Sequence, residues 1–202
     1  MYARVATFEN GDPSRVDELV GTVRERMSSG EQIPGARRFL ILRDREAGAS
    51  LGIAFFDSAD AMRAAEPMFE SMGDDIPEEV RGRRTSVRGY EVAIEQVADG
   101  AHAARVSSLE GSPDGIDDGI LFMNESIVPE LRDVTGWRGV IALVDRGTGS
   151  TKVITLWDDV DSLAASEDLG DQLRRRTSDA MGESIARVER FEIALHEAPI
   201  AV

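Results

Sequence analysis

The chain has 202 residues, of which 42% are hydrophobic and 30% charged, and its 23 basic and 38 acidic residues give a net charge of −15. This composition is typical of a globular protein, and the acidic excess argues against nucleic acid or an anionic membrane as a partner. The sequence contains no cysteine, which excludes disulfides, thiolate catalysis and zinc–cysteine sites. Neither a signal peptide nor an apolar run of about 20 residues is evident, so we expect a soluble, cytoplasmic protein.

In the first half of the chain, the pattern predicts a strand, a helix, a hairpin, a second helix and a last strand. The four strands are predicted at residues 2–9, 37–44, 50–56 and 87–96. Asp12-Pro13 is typical of a helix start, because an acidic cap followed by proline suits the first turn, and residues 28–30 should end that helix. The second helix is predicted from Asp57-Ser58, with Pro67 kinking or ending it, and residues 74–84 are predicted as a second short helix or an ordered loop.

The second half of the chain repeats this order. Its strands are predicted at residues 103–109, 137–145, 151–157 and 186–197, and its helices begin near Pro113 and Asp159. Matching residues recur at a constant offset of 101 positions: Gly35 and Gly136, Asp57 and Asp158, Glu66 and Glu167, Arg4 and Arg105, Glu91 and Glu192. Such an offset indicates duplication. We therefore predict two domains, residues 1–98 and 101–202.

Each half has the order β-α-β-β-α-β, which is the split βαβ pattern of a ferredoxin-like unit. One such unit carries helices on only one face of its sheet, so the other face must be buried elsewhere. The middle strands are apolar on both faces, as in the segments FLIL and GIAFF. We therefore predict an α+β fold in which the two ferredoxin-like repeats close an α/β barrel inside one chain.

Features shared by both halves resemble the dimeric α/β barrel superfamily, and within it the antibiotic-biosynthesis-monooxygenase-like domains. They are a glycine before the first hairpin strand (Gly35, Gly136), an aromatic residue at the end of the second (Phe56, Trp157), and an acidic helix start with small residues (DSADAMRAAE, DDVDSLAASE). Such domains usually pair as homodimers. The duplication therefore implies an intrachain pseudo-dimer, and further homo-oligomerisation stays open.

The resemblance also implies a small-molecule pocket between sheet and helices in each half. The superfamily includes cofactor-independent oxygenases of aromatic polyketides, haem-degrading oxygenases and domains without demonstrated chemistry. The haem-degrading branch uses an asparagine on the first strand and a histidine on the helix after the tryptophan, and both are missing here. We therefore expect no haem degradation, no bound cofactor and no metal.

Three functions remain open at this point. The leading hypothesis is a cofactor-independent monooxygenase acting on a small aromatic or polyketide-like molecule. The alternative is a non-catalytic, small-molecule-binding or stress-response barrel. In a third possibility, side chains fill the pockets and function has moved to the surface.

Eight residues are candidates for a pocket: Trp157, Trp137, Asn124, Arg105, Glu192, Phe56, Tyr90 and Arg4. Trp157 either stacks on a ligand ring or belongs to the core. Trp137 corresponds to Ala36 in the first half, so it is not part of the repeated scaffold. Asn124 lies mid-helix, where it either lines a pocket or faces solvent.

Arginine and glutamate occupy matching places on the outer strands of both halves. Because the first and last strands of a ferredoxin-like unit are antiparallel neighbours, Arg4 with Glu91 and Arg105 with Glu192 could form ion pairs across a ladder. This structural interpretation is favoured over binding of a substrate carboxylate. His102 and His196 lie at strand ends, where a surface location is expected.

Overall fold

The computed structural model describes residues 1–28 and 33–197. The predicted end of the first helix at residues 29–30 and the last five residues of the second repeat lie outside these ranges. The strands are β1 Tyr2–Glu9, β2 Ala36–Asp44, β3 Ala49–Phe56, β4 Arg83–Val97, β5 Ala103–Glu110, β6 Trp137–Asp145, β7 Ser150–Trp157 and β8 Ser184–Glu197. The α-helices are α1 Val16–Ser28, α2 Ala59–Ala64, α3 Glu66–Asp75, α4 Glu78–Arg81, α5 Ile116–Phe122, α6 Val128–Arg132, α7 Val160–Ala165 and α8 Glu167–Met181.

Helices begin where the sequence places capping residues. Asp12 accepts a hydrogen bond from the backbone N–H of Ser14 at 2.8 Å, just before the short 3₁₀ turn that leads into α1. Ser58 caps α2 in the same way. Pro67 occupies the first turn of α3, so the predicted break between the two helices is confirmed.

The first compact unit comprises residues 1–89 and the end of the chain from Ile193. Its strands follow the order end of β8, β2, β3, β1 and start of β4. In the β1–β3 pair, Arg4 lies opposite Ala54 and Ala6 opposite Gly52. Because side chains alternate along a strand, these residues share the face that packs against α1 and α3.

The second compact unit comprises Tyr90–Glu192. Its strands follow the order end of β4, β6, β7, β5 and start of β8. A short π-helical turn, Met123–Ile127, separates α5 from α6 and comes just before Pro129. Proline has no backbone N–H to give to the preceding turn, which accounts for the wider turn at this point.

Along the whole chain, the hydrogen-bonded strand order β1-β3-β2-β8-β5-β7-β6-β4 closes on itself. The predicted α+β fold, with two ferredoxin-like repeats in one α/β barrel, is confirmed. The compact units do not coincide with the repeats, because β4 and β8 each contribute residues to both units. In the described residues, we find no helix with the length and apolar character needed to cross a bilayer.

Candidate functional site

A cavity of about 320 Å³ lies in the first unit, between the sheet and helices α1 and α3. Small residues form its floor on the sheet: Ala6, Gly52 and Ala54. Its walls are apolar and come from α1, α3 and the sheet: Leu19, Val23, Phe69, Met72, Phe39 and Ile41. Polar and charged residues also line it, four of them arginines: Arg4, Arg81, Arg83, Arg84, Glu70, Glu78 and Ser50.

The corresponding space in the second unit is only about 50 Å³. At the three floor positions, 101 residues later, the chain has Ser107, Val153 and Thr155. Larger side chains also fill the space from the helices, where Met123, Ile127, Leu131 and Leu173 belong to the buried core. The backbone is repeated, whereas the space for a ligand is present mainly in the first unit.

Arg4 lines the first-unit cavity and is held rigidly there. Its Nε and Nη2 donate to the two carboxylate oxygens of Glu66, both at 2.7 Å, and Glu66 is the first residue of α3. The guanidinium also lies 4.2 Å from the ring centre of Phe69. Hydrogen bonding from Arg4 lowers the pKa of Glu66. The result is a fixed cation with an aromatic ring on one side.

Arg105 makes the matching contact in the second unit. Its Nη2 donates to the carboxylate of Glu167 at 3.0 Å and to the carbonyl oxygen of Leu163 at 2.9 Å. Arg190 and Arg174 contact the same carboxylate, at 2.6 and 3.1 Å. Burial raises the pKa of Glu167, but hydrogen bonding from Arg190 and the charge of Arg105 outweigh it and lower the pKa to about 2.

The prediction that Arg4 and Arg105 pair with Glu91 and Glu192 was wrong. Glu91 instead accepts a hydrogen bond from Arg146 at 2.7 Å, and Glu192 lies opposite Ala103 in the β5–β8 pair. The reason is the direction of the two arginine side chains, which point to the helix-covered face of the sheet. On that face the nearest carboxylates are the first residues of α3 and α8.

Comparisons with known proteins agree at the level of the fold. No family model matches the chain. An anthrone oxidase-like protein superposes with a TM-score of 0.67 and 13% identity, covering 99% of this chain and 94% of that one. A proposed monooxygenase from Fusobacterium nucleatum superposes with a TM-score of 0.65 and 15% identity, covering 98% of this chain and 94% of that one. A proposed monooxygenase from Lactobacillus acidophilus superposes with a TM-score of 0.64 and 11% identity, covering 100% of this chain and 98% of that one.

The chain has the dimeric α/β barrel fold. Both repeats of this α/β barrel lie in one chain. Two uncharacterized proteins of Mycobacterium tuberculosis are similar in sequence. Rv2558 is 26% identical over 200 residues, covering 96% of this chain and 84% of that protein. Rv2557 is 25% identical over 201 residues, covering 96% and 88%.

Of the eight residues predicted for a pocket, two line a cavity of this α/β barrel: Arg4 in the first unit and Arg105 in the second. Trp157 is fully buried, and its indole N–H donates to Thr155 Oγ1 at 3.0 Å. Trp137 lies opposite Trp157 in the β6–β7 pair and packs against the same core.

The other four candidates are not among the residues that line the two cavities. Phe56 is fully buried, with its ring edge-on to Phe69 at 6.2 Å between centroids. Tyr90 is also buried, Glu192 is half-buried, and Asn124 is exposed on the π-helical turn. Ligand contacts by these residues stay predictions.

Sequence reasoning missed three features of the site. Glu66 and Glu167 had a usable signal, because each recurs at the 101-residue offset as the arginines do. The size difference between Gly52 and Val153 was also visible in the aligned repeats. The burial of Arg43 had no such signal, because the strand pattern alone does not distinguish Arg43 from the exposed Arg37 and Arg45. Of the histidines, His102 is exposed as expected.

Proposed function

We propose that the first-unit cavity binds a small, largely apolar molecule with an acidic group, such as a hydroxylated aromatic or polyketide-like compound. We further propose that the chain oxidises this molecule as a cofactor-independent monooxygenase. The observation that carries the proposal is the cavity itself. Its volume of about 320 Å³ falls within the size range of small-molecule sites, roughly 300–1,000 Å³.

The charges around the cavity support an anionic ligand. Arg4 presents a guanidinium fixed by Glu66, and Arg84 is paired with Glu70 at 2.9 Å. Arg81 donates to the carbonyl oxygens of Ile76 and Gly82, at 3.0 and 3.1 Å, and these bonds hold it beside the cavity. A nearby cation lowers the pKa of a phenol, so such a site favours the phenolate.

In the proposed reaction, the phenolate-bearing substrate is itself the reductant. A methylene carbon conjugated with the phenolate ring loses two C–H bonds and gains a C=O bond, which releases four electrons and two protons. Those electrons reduce O2, so that one oxygen atom enters the product and the other leaves as water with the two protons. The chain binds and orients the substrate, favours its anion and excludes water.

The second candidate function is binding without chemistry, and the carboxylates around the cavity favour it. Glu70 is committed to its ion pair with Arg84, and Glu78 is exposed to solvent. The lining residues within the described ranges include no histidine. A general base for removing the substrate proton is therefore less evident than the binding site, and a sequestering barrel would need none.

The test measures binding and oxygen uptake together. Wild-type protein is titrated with a panel of hydroxylated polycyclic phenols by calorimetry, and oxygen consumption is followed with an electrode. Gly52→Val places the second-unit residue in the cavity floor, where the added Cβ would meet only Phe8, at 3.7 Å. We expect this variant to weaken binding by roughly tenfold. Val153→Ala, in the second unit, is the matched control and should leave binding unchanged.

The outcomes separate the two functions. Binding with oxygen uptake, both reduced by Gly52→Val, supports the monooxygenase. Binding that Gly52→Val weakens, without oxygen uptake, supports the non-catalytic alternative. If none of the panel binds, or if Gly52→Val binds as the wild type does, the first-unit cavity is not the site.

A further inference from the structure

Several arginines gather around one carboxylate in the second unit. The carboxylate of Glu167 is contacted by three guanidiniums, those of Arg105, Arg174 and Arg190. Arg174 also contacts the carboxylate of Asp171. Among the residues that the structure describes, three guanidiniums thus share two carboxylates, which leaves one positive charge in excess. Burial lowers the pKa of Arg105, and the charges of Arg174 and Arg190 act in the same direction.

The two additional arginines belong to the second repeat alone. At the positions 101 residues earlier, Arg174 and Arg190 correspond to Gly73 and Gly89. In the first unit, the matching carboxylate forms its ion pair with Arg4. The second repeat therefore has the same arginine–glutamate pair with two further cations beside it.

A third difference between the repeats changes what covers the arginine of the first strand. In the first unit, the ring centre of Phe69 lies 4.2 Å from the guanidinium of Arg4. The matching residue of the second repeat is Gly170. A Cβ on Gly170 would lie 2.7 Å from Nη1 of Arg105 and 3.1 Å from Nη1 of Arg174. The glycine therefore allows both guanidiniums to meet against helix α8.

The Nη1 groups of these two guanidiniums can bind a ligand. In the described part of the chain, Arg105 and Arg174 make their hydrogen bonds to protein groups through Nη2. Their side chains are only 3% and 10% exposed. Nε of Arg105 is sealed in the interior without a partner, whereas neither Nη1 is sealed in this way. A small molecule can therefore reach the two Nη1 groups.

The second-unit cavity provides the space for such a molecule. Arg105, Arg174 and Gly170 all line it, and its volume is about 50 Å³. Because one water takes up roughly 30 Å³ in the liquid, this space fits an ion of a few atoms but no aromatic ring. Ser107 also lines the cavity and adds a hydroxyl donor, where the first repeat has Ala6.

We propose that the second-unit cavity binds a small monovalent anion between Nη1 of Arg105 and Nη1 of Arg174, with the hydroxyl of Ser107 beside it. Two guanidinium donors bind an anion through charge-assisted hydrogen bonds. A single negative charge balances the excess positive charge of the cluster. The ligand class is thus an anion of the size of chloride or formate. This site is separate from the first-unit cavity and does not rest on the function proposed for it.

The first experiment is an NMR titration of the wild-type chain with sodium chloride, and then with sodium formate. Sodium gluconate keeps the ionic strength constant, because its anion is too large for the cavity. The backbone N–H of Gly170 should shift saturably, as should the indole N–H of Trp157, which donates to the lining residue Thr155. The backbone N–H of Phe69, at the matching position of the first unit, is the internal control and should not shift saturably.

Two results of this titration would overturn the proposal. In the first, neither anion shifts Gly170 and Trp157 saturably. In the second, Phe69 shifts with the same saturation as Gly170, which would show that the anions bind arginines in general rather than this cavity.

The second experiment compares two variants that each remove one positive charge from α8. Arg174→Met should weaken chloride binding at least tenfold, because one of the two charged donors is lost. Glu167 keeps its contacts with Arg105 and Arg190 in this variant, so we expect it to fold. Arg176→Met is the matched control, since Arg176 pairs with Glu130 on the exposed surface. Equal chloride affinity in the two variants would contradict the site, and the wild-type titration decides the question if Arg174→Met does not fold.

Discussion

The two units have the same strand and helix order, yet one encloses about 320 Å³ and the other about 50 Å³. Both keep the arginine on their first strand and the glutamate that begins α3 or α8. They differ at the floor positions, where Gly52 of the first unit corresponds to Val153 of the second. Duplication thus preserved the ion pair that ties helix to sheet, while the space under the helix was kept open in one copy and filled in the other.

The largest expected effect comes from emptying the core of the filled unit. Trp157 is fully buried there, so Trp157→Ala should destabilise the protein by about 4 kcal/mol. Chemical denaturation measures this change. Trp137→Ala, at the half-buried neighbour, should cost clearly less. A loss under about 1 kcal/mol for Trp157→Ala would show that the second unit is not tightly packed, and the contrast between the units would fail.

The next effect tests the repeated ion pair. Glu167→Gln should cost about 3 kcal/mol, because it leaves the buried Arg105 without its carboxylate. Glu66→Gln should cost about 1 kcal/mol, because the Glu66 side chain is 41% exposed, against 29% for Glu167, and solvent screens the pair. Denaturation of both variants checks the order. Equal losses would mean that the two pairs are equivalent.

The pH dependence of the Glu167 variant sharpens this test. The folded pKa of Glu167 is lowered from 4.5 to about 2, so its stabilisation is present above pH 4.5 and is lost as pH falls toward 2. The difference in free energy of unfolding between the wild type and Glu167→Gln should shrink over that range. A difference that stays constant from pH 5 to pH 2 would rule out the ion pair as its source.

The smallest effect has the opposite sign. Burial raises the pKa of Glu183 above 4.5, so ionisation of this carboxyl weakens the folded state as pH rises. Glu183→Gln should therefore stabilise the protein by about 1 kcal/mol at pH 7, and the gain should vanish below pH 4.5. Thermal unfolding at pH 4 and pH 7 measures it. A destabilised variant at pH 7 would show that the carboxylate is needed there.

Much of the fold could be predicted because its signals are local or repeated. The 101-residue offset indicated two copies, and Asp12, Ser58 and Pro67 marked helix starts that the structure confirms. The strands of both hairpins were placed to within a residue. The starts of β4 and β8 were missed, since β4 begins at Arg83 in a polar run where alternation is weak.

The site was harder to predict, because its chemistry depends on the reach of side chains. The pattern predicted which strands are neighbours. The guanidinium of Arg4, however, extends away from the strand ladder to Glu66 on α3, and strand periodicity does not indicate that direction. A cavity also depends on the sum of many small differences in side-chain volume, so the visible change from Gly52 to Val153 did not by itself indicate which unit would hold it. The family resemblance favoured Trp157 as a pocket residue, but Trp157 belongs to the packed core of the second unit.

The final strand of the first unit has a consequence for how the chain is made. Residues Ile193–Glu197 of β8 complete a sheet whose other strands precede Tyr90, so translation delivers the entire second unit in between. A nascent chain that stops short of Ile193 would leave one side of β2 unpaired and ready to join a strand from another molecule. The first unit should therefore begin to leave the ribosome before the second unit but complete its folding after it.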